Sequence, residues 1–109
     1  EAEAAHARAQ AHQRDLDARA RKSHLHLQHL IEQAEQHRRA VLEPGQRLFD
    51  LARRGFAAGE SNVLALVDAH DGYFSARNRY IELLTQQWFE AADLRYAIAR
   101  SVLDAGGQP

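Results

Sequence analysis

The sequence predicts an all-α fold, a long antiparallel α-helical hairpin of coiled-coil type, on three observations. Ala, Leu, Gln, Glu and Arg dominate a chain that holds only 2 Pro and 6 Gly, and these are strong helix formers. No run of alternating β-branched residues reads as a strand. Apolar residues recur at alternating steps of three and four along two stretches, one on each side of the segment GESN at 59–62.

The descending arm, 1–58, carries the first series: Leu16, Ala20, Ser23, Leu27, Leu30, Ala34, His37, Val41, Pro44, Leu48, Leu51 and Gly55. Ser23, His37, Pro44 and Gly55 are its imperfections. Pro44, in "LEPGQ", lacks a backbone N–H and its ring crowds the preceding turn, so a kink or short break is expected near Leu42 to Gly45. The series resumes in phase at Leu48, which favours one kinked helix over a domain boundary. The chain opens inside helical sequence with no cap before it, as an excised piece of a longer chain would. Residues before Arg14 have no expected partner on the return arm and should fray or be ordered only by a neighbour.

The tip is 59–62. Gly59 can take a positive φ and end the first helix. Ser61 or Asn62 can cap the second by accepting a bond from a free N–H. The returning helix, 62–104, carries the second series: Val63, Val67, His70, Phe74, Arg77, Ile81, Leu84, Trp88, Ala91, Arg95, Ile98 and Val102. Folding about Gly59 sets Leu51 opposite Val67, Leu48 opposite His70, Leu30 opposite Trp88 and Leu16 opposite Val102. Trp88 then reads as a core anchor, and Gly55 and Gly72 as points of close helix approach. Leu64, Leu66, Tyr73, Tyr80, Leu83, Phe89 and Leu94 widen the second stripe. Of these, Leu66, Tyr73, Tyr80 and Leu83 lie off the expected contact line. They predict self-association through that face, most simply as a four-helix bundle.

Composition removes several functions. The formal net charge of −1 and pI near 6.7 leave no electrostatic footprint for nucleic acid. With Cys at 0 there is no disulfide and no thiolate ligand or nucleophile. No stretch approaches the roughly 18 apolar residues of a membrane-spanning helix. No nucleophile stands with a base at workable spacing, and there is no phosphate loop, so neither an enzyme nor a cofactor is expected.

"SHLHLQHL" invites a metal site, because His26, His29 and Glu32 step by three. The outer two diverge by about 120° around a helix, poor geometry for one ion. Solvated surface histidines, or at most a pair completed by a neighbouring chain, are expected. His37 and His70 fall on the two series and read as packed, hydrogen-bonded histidines.

The stretch from Leu48 to Val102 resembles the C-terminal hairpin of the TolC-like outer membrane efflux factor family. The residues that carry the resemblance are Phe56, Gly59, Glu60, Ser61, Leu64, Val67, Asp68 and Ala69, then Phe74, Arg77, Tyr80, Leu94 and Gly106. They cover about half of the 109 residues. His70 stands where the family commonly has Gln or Arg, Phe56 where it often has Tyr, and Ala65 where some members have a second acidic residue.

The resemblance implies a trimeric channel of the Gram-negative outer membrane, with this hairpin in a periplasmic α-barrel. Its tip, Ala58, Gly59, Glu60, Ser61 and Asn62, would dock a periplasmic adaptor that links it to an inner membrane pump. The alternative for the tip is a turn that serves local geometry alone. Asp68 would sit in an acidic ring at the aperture; otherwise it is a solvated carboxylate favoured by the helix dipole. Glu60-Ser61 and Pro44 lean toward the branch that works with heavy-metal exporters. The rival readings are a soluble helical-hairpin interaction module and a periplasmic His-rich metal-binding protein, the latter resting on the 7 histidines.

Overall fold

The computed structural model describes residues 1–106, and all but the first residue and the tip are helical. Helix α1 is Ala2–His37, a π-turn follows over Arg38–Leu42, α2 is Glu43–Ala57 and α3 is Val63–Gly106. No strand occurs among the described residues. The fold is an all-α antiparallel hairpin that turns at Gly59. It comprises two compact bodies, Leu30–Gln86 around the turn, and Glu1–His29 paired with Gln87–Pro109.

In the body around the turn, α2 ends in a Schellman motif. The Glu60 N–H donates to the Gly55 carbonyl at 2.8 Å and the Gly59 N–H to Phe56 at 3.0 Å. Gly59 has φ of +75°, a backbone state that costs a side-chain-bearing residue roughly 1–2 kcal/mol. Of the two candidate caps for α3, Asn62 is used: its Oδ1 accepts from the Ala65 N–H at 2.9 Å. Ser61 turns inward instead, and its Oγ is buried without a hydrogen-bond partner.

The irregularity expected at Pro44 takes the form of a π-turn just ahead of it, with no break. Proline cannot donate to the Ala40 carbonyl, and its ring would press on that carbonyl in a regular helix. Widening the turn relieves both, and the Glu43 N–H donates five residues back to the Arg38 carbonyl. Arg38 spans the turn, with its guanidinium bonded to both Glu35 and Glu43. A pair five residues apart suits a π-turn, where one extra residue is needed to come round to the same face.

That extra residue overturns one expectation. The first series holds through Leu30, Ala34 and His37 and does not resume in phase. Leu48 and Leu51 stand 62% and 66% exposed, while Phe49 and Ala52 take the half-buried positions. Gly45 faces α3 closely, since a Cβ there would lie 3.7 Å from the Tyr73 Cα.

The inner line of α3 differs from the expected one by a single residue. Within this body it is Leu66, Ala69, Tyr73, Ala76, Tyr80 and Leu83, all buried or half-buried. Leu66, Tyr73, Tyr80 and Leu83, expected off the contact line, therefore form it. Val63, Val67, Ile81 and Leu84, expected on it, are exposed. His37 is a packed histidine as expected, with Nε2 donating to the Ala76 carbonyl at 2.8 Å. His70 is a surface residue, its ring 4.4 Å from Phe74 and 5.5 Å from Phe49. Gly72 approaches nothing, so only Gly55 of the two expected close-approach glycines serves that role.

In the other body the same rhythm continues on α3 through Gln87, Glu90, Leu94, Ala97, Ser101 and Asp104. Four of these are polar, and Glu90, Ser101 and Asp104 make the following bonds to α1. His26 meets Glu90 at 3.2 Å, Gln13 donates to the Ser101 Oγ at 2.7 Å, and His12 meets Asp104 at 2.8 Å. Leu16 is the buried leucine of this body. Trp88 is 69% exposed and stacks edge-on against Phe89, so it is not the core anchor expected. His12 and Gln13, expected to lack partners on the return arm, have them: α1 is helical from Ala2 and α3 reaches Gly106, which sets Asp104 and Ser101 beside them.

A candidate docking tip and the groove beside it

The tip residues Ala58, Gly59, Glu60 and Asn62 are exposed and Ser61 is half-buried. No side chain longer than Glu60 stands in the turn, and the hydrogen bonds that close it are local. Ser61 is held by the bare backbone of Gly55, where a Cβ would lie 3.2 Å from the Oγ. This pairing of a glycine with an inward serine draws the end of α2 against the start of α3.

Beside the tip a groove of about 530 Å³ runs between α2 and α3. Small residues floor it, Gly45, Ala52 and Gly55 on α2 and Ala65, Ala69 and Gly72 on α3. Leu48 and Leu51 form an apolar wall, left there by the phase change at the π-turn. Asp68 lies on the same groove, exposed and with no hydrogen bond or ion pair among the described residues. Glu60 is the other charged group lining it. The arrangement is a shallow, mainly apolar trough with one sign of charge, suited to a helix or an extended segment with apolar and cationic side chains. Sequence reasoning missed the groove because it placed Leu48 and Leu51 inside.

Arg77, one of the residues that carry the family resemblance, has its guanidinium 5.7 Å from the centre of the Phe74 ring. Arg53 does the same over Phe49 at 5.9 Å. Both contacts tie a charged surface residue to the aromatic cluster of Phe49, His70, Tyr73 and Phe74.

The metal candidates are not brought together. His26 pairs with Glu90, and neither His29 nor Glu32 joins it in a chelate. Among the described residues no group of three or more His, Asp or Glu side chains could hold an ion.

A charge cluster that the sequence reading overlooked surrounds the π-turn. Glu35 accepts from Arg38 at 3.0 Å and from Arg39 at 2.9 Å. The Arg38 hydrogen bond first and that of Arg39 second hold the Glu35 carboxyl well below its ordinary range, at about 2. Glu35 in turn raises the pKa of Arg38. The spacing of Glu35, Arg38, Arg39 and Glu43 was the available signal.

No protein-family model matches the chain, and neither a curated protein nor a solved structure does. Among the described residues no helix is long and apolar enough to cross a membrane.

Proposed function

We propose that the chain is an assembly element: a periplasmic hairpin that packs side by side with others in the α-barrel of a trimeric outer membrane efflux channel. One observation supports this most. Helix α3 carries two heptad series one residue apart, and only one is used within the hairpin. A helix in a closed ring needs a seam toward each of two neighbours, and a helix in an isolated hairpin needs one. In this reading the tip, Ala58 to Asn62, and the groove beside it dock the adaptor that connects to the pump. Unpaired Asp68, about two turns into α3, supplies a negative ring that favours cations at the aperture.

The test uses the full reading frame that encodes this chain, expressed in Gram-negative cells. A trimer in the outer membrane fraction is expected, with cation conductance in planar bilayers that falls in Asp68→Asn. A product confined to the soluble fraction with no conductance refutes the proposal.

A second reading, a soluble self-assembling hairpin module, has its own support. Seams one residue apart point about 100° from each other around the helix. That is close to the corner of a four-helix bundle, whereas a ring of many helices has wider corners.

A further inference from the structure

We infer that this chain pairs with a second copy of itself through the exposed series on α3, the two α3 helices lying antiparallel in one specific register. The inference rests on the second reading, a self-assembling hairpin module, because antiparallel copies put their tips at opposite ends whereas a barrel puts them all at one.

Val63, Val67, Ile81, Leu84, Trp88, Ile98 and Val102 are exposed on α3, a single helix from Val63 to Gly106. Apolar side chains left at regular 3–4 spacing are the mark of an unfilled helix–helix seam rather than of scattered surface hydrophobes. The series begins and ends on a step of four, so it is symmetric about a point between Ile81 and Leu84.

Laid antiparallel on a copy about that point, every position finds a partner. Val63 meets Val102, Val67 meets Ile98, and Phe74 meets Ala91, large against small. At the centre Ile81 meets Leu84, twice over by symmetry. The cations are accommodated as well. Arg77 falls opposite Trp88, the best aromatic face for a guanidinium, and Arg95 falls opposite His70, which is adjacent to Asp71. The flanking row of Leu64, Asp71, Asn78, Thr85, Ala92 and Ala99 holds one charge, so no like charges meet there.

The competing registers are worse for stated reasons. One heptad toward the C-terminus sets Arg77 against Arg95, leaves Val63 beyond the end of α3 and gives Val67 only Ala105. One heptad the other way sets Val63 against Arg95 and strands Ile98 and Val102. A parallel pair places each arginine on its own copy. Like charges juxtaposed at a seam act against such arrangements.

Sedimentation equilibrium at tens of micromolar should give a dimer. Ile81→Glu with Leu84→Glu should weaken it at least ~100-fold, since four large apolar side chains at the symmetry centre are lost. Circular dichroism checks that helicity is kept. Should that variant unfold, cross-linking decides, which the absence of native cysteine makes clean. Val63→Cys and Val102→Cys proteins, oxidised separately, should stay uncross-linked, and a mixture should form a covalent heterodimer. A monomer or a trimer at those concentrations overturns the inference. So does cross-linking of Val63→Cys alone, the signature of a parallel pair, or a dimer untouched by the double glutamate variant.

Discussion

The turn at Gly59 makes a prediction in which one substitution has opposite signs at two places. Gly59 and Gly72 are alike in that a Cβ at either would meet nothing within 4 Å. Packing therefore contributes to neither, and the backbone decides. Gly59 has φ of +75°, where an L-residue is strained by roughly 1–2 kcal/mol. Alanine also restricts the unfolded chain, which returns about 0.4–1 kcal/mol. Gly59→Ala should thus destabilise by about 1 kcal/mol. Gly72 lies inside α3, where alanine is better than glycine by roughly 0.5–1 kcal/mol. Gly72→Ala should stabilise by that amount. The gap of about 2 kcal/mol corresponds to a difference in Tm of roughly 8–16 °C for a chain of this size. Thermal unfolding followed by circular dichroism measures it, at one fixed protein concentration because association adds to apparent stability. Equal shifts in the two variants, or stabilisation by Gly59→Ala, would mean that residue 59 is not left-handed and that the Schellman turn is misplaced.

Three further outcomes follow from single side chains. Asn62→Ala removes the cap on Ala65 and should cost about 0.5–2 kcal/mol in urea unfolding, whereas Ser61→Ala, which deletes a buried unpartnered hydroxyl, should be neutral or stabilising; a larger loss at Ser61 would reverse the capping assignment. Leu83, 2% exposed, should lose about 2–5 kcal/mol on truncation to alanine, and Leu48, on the wall of the groove, under about 1 kcal/mol; comparable losses would restore the contact line first expected. Glu35 has a folded pKa of about 2 against an ordinary 4.5, so its bonds to Arg38 and Arg39 stabilise the fold fully above pH 4.5 and are lost as pH falls toward 2; Glu35→Gln should flatten that part of the acid titration of stability, and an unchanged slope refutes the assignment.

Much of the architecture is legible in the residues themselves. Helix-forming composition, the 3–4 rhythm and the chemistry of glycine and asparagine at 59–62 locate two helices and one turn, because each of these is a local property of the backbone. The choice of contact line is not local. The reading by apolarity selected the richer of two series on α3, Val63 to Val102, when the hairpin closes on its neighbour. That neighbour supplies Ala69, Ala76 and Ala97, small enough for helices to approach, and Glu90, Ser101 and Asp104, which bond to α1. A polar residue is at home in a seam only when a specific partner faces it, and nothing in a single helix reveals the partner. The same holds for Leu48 and Leu51. Pro44 announces a disturbance, but a kink, a break and a π-turn all satisfy a missing N–H. Only the packing of α2 on α3, which seats Phe49 and Ala52 and brings Gly45 to Tyr73, selects the π-turn and its one-residue change of phase. Sequence determined what each helix could bury. Tertiary structure decided which face it did bury, because the free energy of a seam belongs to two surfaces and not to one.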